Sequence, residues 1–71
     1  MNKALLEKLA KRIKELRKLN NFTQDELAFR AGIGRSTLDN IETAQNDVTF
    51  SKVNKIAKAF NLSLSEFLNF N

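Results

Sequence analysis

Residues 24–41, QDELAFRAGIGRSTLDNI, hold five positions at fixed intervals: Gln24, Ala28, Gly32, Leu38 and Ile41. Leu27, Ala31 and Ile33 fill the apolar places between them. This spacing predicts a short helix, a turn at Gly32 and a second helix, with small residues where the two cross closely. Thr23-Gln24-Asp25-Glu26 is a capping-box sequence, so Thr23 is expected as the N-cap of the first of these helices, with Glu26 reaching back to it. Gly32 ends that helix as a residue able to take positive φ.

Outward from this pair, the same reasoning covers nearly the whole chain of 71 residues. On the N-terminal side, Leu6, Leu9, Ala10, Ile13 and Leu16 recur at three- and four-residue steps, which predicts a helix from Lys3 to Leu19 ended by Asn20-Asn21. The second helix of the pair should start after Gly34 and run to about Thr43. Thr49 can cap a fourth helix whose apolar stripe is Phe50, Val53, Ile56, Ala57 and Phe60. A second capping box, Ser63-Leu64-Ser65-Glu66, opens a short last helix expected to end near Phe70. No segment alternates as a strand does, so the expected fold is all-α with five helices in a single domain spanning 1–71.

Composition narrows the function. There is no His and no Cys, which removes disulfides, thiol chemistry and nearly all zinc sites. With no phosphate-cradling Gly loop and no paired carboxylates, an enzyme is not expected, and neither is a cofactor or metal. The longest apolar run is far too short to cross a bilayer, and Met1-Asn2-Lys3 opens a charged segment without a signal-peptide core, so a cytoplasmic, nucleoid-associated protein with no membrane partner is expected. The formal charge is +4. It concentrates in residues 1–21, where Lys3, Lys8, Lys11, Arg12, Lys14, Arg17 and Lys18 face only Glu7 and Glu15. Such a block is either a phosphate-facing surface or the solvated face of a helix.

The third helix divides into two faces at about 100° per residue. Leu38 and Ile41 mark the inner one, with Thr37 and Glu42 on its edges. Arg35, Ser36, Asp39, Asn40 and Thr43 make the other, on which every side chain can hydrogen-bond. Short polar groups with one Arg near the N-terminal end suit base edges in the major groove of DNA. Arg35 can fork onto a guanine and Asn40 can pair with an adenine edge. Ser36 tolerates several bases. Asp39 either accepts from a cytosine amino group or holds Arg35 one turn away. Arg17 falls on the apolar stripe of the first helix and Glu42 on the buried edge of the third. Each is costly to bury alone, so an Arg17–Glu42 ion pair is predicted to lock these helices together.

From Ile13 to Phe67 the chain resembles the Cro/CI-type helix-turn-helix family of phage repressors and small bacterial regulators, also called the XRE family. The residues that carry the resemblance are Arg17, Thr23-Gln24-Asp25-Glu26-Leu27-Ala28, Ala31-Gly32-Ile33, Arg35-Ser36-Thr37, Ile41-Glu42, Lys55-Ile56-Ala57-Lys58-Ala59 and Leu64-Ser65-Glu66-Phe67. It implies a compact five-helix, lambda-repressor-like domain that binds double-stranded DNA, with the helix-turn-helix in helices 2 and 3. By the same resemblance Gln24 would rest on a phosphate, Arg35, Ser36 and Asn40 would meet bases with Asp39, and Thr43, Gln45 and Asn46 would touch backbone phosphate. The Arg17–Glu42 pair is also a feature of the family. Within it, the Asn46-Asp47-Val48-Thr49 loop and the short length look most like restriction-modification controller proteins and compact phage-type regulators. Gly34 stands in place of a frequent Ser or Thr cap, Ala44 in place of a frequent Gly, and Val48 in place of a frequent Pro. The outward Phe29 of the second helix either shields the first helix or meets a partner.

Leu62, Leu64, Phe67, Leu68 and Phe70 crowd the last residues. Phe67 is expected in the core. The others either cap the core or form an isologous interface in residues 62–71, with Leu64, Leu68 and Phe70 at its centre. A homodimer of that kind presents two reading helices about 34 Å apart and calls for a palindromic operator. The expected function is therefore a sequence-specific transcriptional regulator without a small-molecule effector. The alternative is an antitoxin-like module that binds a partner protein and represses its own operon.

Overall fold

Leu6, Leu9, Ala10, Ile13 and Leu16 do line the buried side of α1 (Lys3–Leu19). The computed structural model describes residues 2–70 and, among them, four further helices: α2 (Gln24–Ala31), α3 (Arg35–Glu42), α4 (Phe50–Ala59) and α5 (Leu64–Phe67). Side-chain oxygens cap four of the five N-termini: Asn2 for α1, Thr23 for α2, Thr49 for α4 and Ser63 for α5. Only α3 has none, because Gly34 stands at its N-cap. The capping box forms in full at Ser63–Glu66 and by half at Thr23. There Glu26 turns away to Arg30, one turn on, at 2.9 Å.

The ends of the first four helices share one device. A residue in the left-handed region follows each helix: Asn21 at φ 57°, Gly32 at 69°, Ala44 at 55° and Asn61 at 59°. Paired 6→1 and 5→2 hydrogen bonds close each end, as in Phe22 N–H to Arg17 O at 2.9 Å and Asn21 N–H to Lys18 O at 3.1 Å. The next residue is apolar in three cases, Phe22, Ile33 and Leu62, and packs against the core. Asn and Gly tolerate this conformation readily. Ala44 does not, and it is also buried, so the Gly-to-Ala departure noted above stores strain of about 1–2 kcal/mol at the end of α3.

Packing joins α1 to α3, α2 to both α3 and α4, and α4 to α5. Leu27, Leu38, Ile13, Ile56 and Phe67 are fully buried at the centre. Phe60 links the two ends of the core, its ring lying 5.9 Å from Phe22 and 6.3 Å from Phe67. Two expectations fail. Phe50 is not in the core stripe of α4 but 71% exposed: as the first helical residue it faces an open groove beside Leu5 and Leu9 of α1 rather than the packed centre. The last helix stops at Phe67 rather than near Phe70, and Arg12 explains the stop. Its Nε donates to Phe67 O and its Nη2 to Glu66 O, both at 3.0 Å, so α1 supplies the donors that a further turn would have supplied.

Glu66 accepts the Ser63 backbone N–H at 2.9 Å, and this bond, with the Ser63 hydroxyl, holds its carboxyl below the ordinary value of 4.5. A carboxyl lowered in the folded state stabilises it above the unfolded pKa, and that contribution disappears as pH falls through the folded value. An NMR titration should show Glu66 protonating below the ordinary value of 4.5, with α5 amides losing exchange protection over the same range.

Candidate nucleic-acid interface

The buried centre of the site is an ion pair. Arg17 Nε donates to Glu42 Oε2 at 3.0 Å and Arg17 Nη2 to Glu42 Oε1 at 3.2 Å, a two-toothed contact between α1 and α3. Glu42 is 4% exposed and the Arg17 side chain 20%. The remaining guanidinium nitrogen, Nη1, donates to Phe22 O at 3.3 Å in the turn before α2. One side chain thus ties three elements, and the pair predicted from periodicity is present.

From this pair a chain of polar contacts climbs to the surface. Gln24 Nε2 donates to Glu42 Oε1 at 3.0 Å and to Asp39 Oδ1 at 3.5 Å. Gln24 Oε1 accepts from Arg35 Nε at 3.0 Å, and Arg35 Nη1 meets Asp25 Oδ1 at 3.0 Å. The first residue of α2 and the first residue of α3 are therefore clamped together, although ten positions separate the ion-paired residues Asp25 and Arg35. Asp39, offered above as one holder of Arg35, does not bond it. Asp25 does, because the turn at Gly32–Gly34 folds the start of α3 back against the start of α2.

The outward face is as drawn from the sequence: Arg35, Ser36, Asp39, Asn40 and Thr43 are all exposed, as are Gln45 and Asn46. Thr43 is partly committed, its hydroxyl donating to Asp39 O at 2.9 Å. Beside this face lies a polar groove lined by Thr37, Asn40, Asn46, Asp47 and Lys52. Lys52, in the first turn of α4, escaped the sequence reading because on its own helix it is simply a polar position. Lys11 and Lys14 escaped it as individuals. They flank Thr43 and Ala44 at the far end of α3, where α1 crosses it. The basic block is thereby divided: Arg12 and Arg17 are structural, and the lysines are exposed.

The residues assigned to self-association are less uniform. Leu68 is exposed, whereas Leu64 and Phe70 are half-buried against the core. With Leu5, Leu9, Phe50 and Val53, Leu68 and Phe70 line an apolar groove to which α3 contributes nothing. Leu64 is absent from that lining, and Asn71 lies outside the described residues. Phe29 is 83% exposed, so it does not shield α1. Among the described residues no cluster of acidic groups could hold a metal ion, and no helix is long and apolar enough to cross a membrane.

Comparison with known proteins places this geometry. A helix-turn-helix family profile matches residues 13–67. Control protein C.SmaI of Serratia marcescens is 34% identical over 62 residues, covering 87% of this chain and 74% of that protein. The crystal structure of the restriction-modification controller protein C.AhdI of Aeromonas hydrophila superposes with a TM-score of 0.84 at 33% identity, covering 90% of this chain and 97% of that one. SinR, a master regulator for biofilm formation solved in complex with DNA, matches with a TM-score of 0.76 at 29% identity, covering 86% of this chain and 98% of that one. A SinR–SinI protein complex matches equally well, with 60% of that chain covered.

Proposed function

The chain belongs to the helix-turn-helix (XRE) family of non-enzymatic DNA-binding regulators, and from that premise we propose that it is a sequence-specific transcriptional regulator that binds a palindromic operator as a homodimer. The observation that carries the reading is the exposed face of α3, where Arg35, Ser36, Asp39 and Asn40 stand free of the core while Glu42 and Leu38 anchor the helix beneath them. Those four side chains read bases. Gln24, Thr43, Gln45 and Asn46 set the register on backbone phosphate, helped by Lys52. NMR titration with a duplex should move the signals of Gln24, Arg35, Ser36, Asn40 and Asn46 first. Shifts confined to the outer lysines of α1 would contradict this assignment.

The dimer rests on dimensions and on the apolar groove. The protein measures 27 × 25 × 21 Å, less than the roughly 34 Å between major-groove faces one turn apart, so reading two half-sites takes two copies. Leu5, Phe50 and Leu68, all exposed, offer the surface that a second copy would cover. Phe50→Asp should leave the fold intact and shift sedimentation to the monomer, with loss of tight binding to a palindrome but not to a half-site. An unchanged dimer would place the interface elsewhere. A second reading, a module that also binds a partner protein, draws on the exposed Phe29 and on SinR's complex with SinI. Stoichiometric co-purification of a partner, abolished by Phe29→Ser, is its test.

A further inference from the structure

We propose that Asp25 is a positioning residue for base discrimination: acting through Arg35, its carboxylate sets how strongly the protein prefers its operator over random DNA. The proposal rests on the DNA-reading function assigned above to Arg35.

Arg35 does not hang free in solvent. Its Nε donates to Gln24 Oε1 and its Nη1 to Asp25 Oδ1, each at 3.0 Å, while the side chains remain 57% and 76% exposed for Arg35 and Asp25. Gln24 is itself fixed from below by Glu42, which Arg17 holds. The guanidinium is therefore gripped by two neighbours on α2, one of them anchored to the core. An arginine has five N–H donors, and the two in use leave three that can face a base edge. A guanine needs two, for O6 and N7. The clamp thus leaves the guanidinium able to read guanine while restricting where it can go.

Two consequences favour specificity. A free arginine wanders and satisfies itself on any phosphate, which adds affinity without sequence information. Held by Asp25, Arg35 gains less from a phosphate, because reaching for one breaks an ion pair that is already made. In addition, Asp25 adjoins Gln24, the residue assigned to phosphate, so its charge opposes close approach of the backbone unless Arg35 finds its acceptor. Non-specific complexes bear this opposition without recompense. Cognate complexes offset it with the forked contact to guanine.

The test measures affinity for the selected operator and for a random duplex with the wild-type protein, D25N, R35A and the double variant. Asp25 is exposed, so D25N is compared after circular dichroism has verified its helix content. D25N should raise affinity for the random duplex by about two- to fivefold, the range of an exposed charge pair, and raise operator affinity less or not at all. The ratio between the two should fall accordingly. On the R35A background D25N should leave the ratio unchanged, because the residue through which it acts is gone. An equal gain on both duplexes would reduce Asp25 to a general repulsive charge and overturn the proposal. A fall in ratio that persists without Arg35 would overturn it too, by making Asp25 a base contact in its own right. A wild-type protein that shows no preference would instead remove the DNA-reading assignment beneath it.

Discussion

Arg17→Met should destabilise the fold by about 3–5 kcal/mol, because it leaves Glu42 charged and buried without its partner. At this chain length each kcal/mol lowers the thermal midpoint by about 4–8 °C, so the variant should be largely unfolded well below the wild-type transition. Glu42→Gln should cost less. The amide still accepts from Gln24 or Arg17, and Arg17, one-fifth exposed, can recover water where the nearly sealed Glu42 cannot. The double variant Arg17→Met/Glu42→Met should recover most of the loss, since a buried pair replaced by apolar groups of similar volume no longer carries a desolvation penalty. Thermal melts of the three variants decide the point. A double variant as unstable as Arg17→Met would show that Arg17 acts mainly through its bond to Phe22 O rather than through the pair.

Arg35→Ala should weaken operator binding by about 1–3 kcal/mol, roughly a 5- to 150-fold loss, and relax the preference at one base pair while leaving the others intact. Stability should scarcely change, because the side chain is more than half exposed and its partners Asp25 and Gln24 regain water. Gln24→Ala supplies the contrast. Loss of a phosphate contact alone weakens binding evenly across sequences. Gln24, however, also holds Arg35 and Glu42, so the even loss should be accompanied by a partial version of the Arg35→Ala effect. Binding isotherms against a panel of single-base operator variants separate the two patterns. If Arg35→Ala left both affinity and preference untouched, α3 would not be reading DNA through its N-terminal end.

The helices were readable because local signals agreed with one another. The Lys3–Leu19 span, the Thr23, Thr49 and Ser63 caps, and Gly32 as a stop each follow from residues within one turn. The Arg17–Glu42 pair was readable for a different reason: two charges on apolar stripes are so costly apart that they predict each other. What escaped depends on contacts distant in sequence. Arg12 looks like one more surface cation until α5, more than fifty residues on, is seen to end against it. Glu26 satisfies the capping-box pattern, but an equally local partner, Arg30, takes it. Phe50 has the right phase for the α4 stripe, and phase does not report that the first turn of the helix opens onto a groove rather than the packed centre. The clamp on Arg35 was missed because periodicity within α3 points to Asp39, whereas the Gly32–Gly34 turn brings Asp25 closer. Local pattern thus gave the two faces of the reading helix, and tertiary geometry decided how its arginine is held.

Selection from a randomised duplex pool, repeated at two salt concentrations, should enrich a two-fold-symmetric motif whose half-sites lie about one helical turn apart, with affinity falling steeply as salt rises. Salt-sensitive binding with no motif, or no binding at all, would contradict sequence-specific binding by a homodimer.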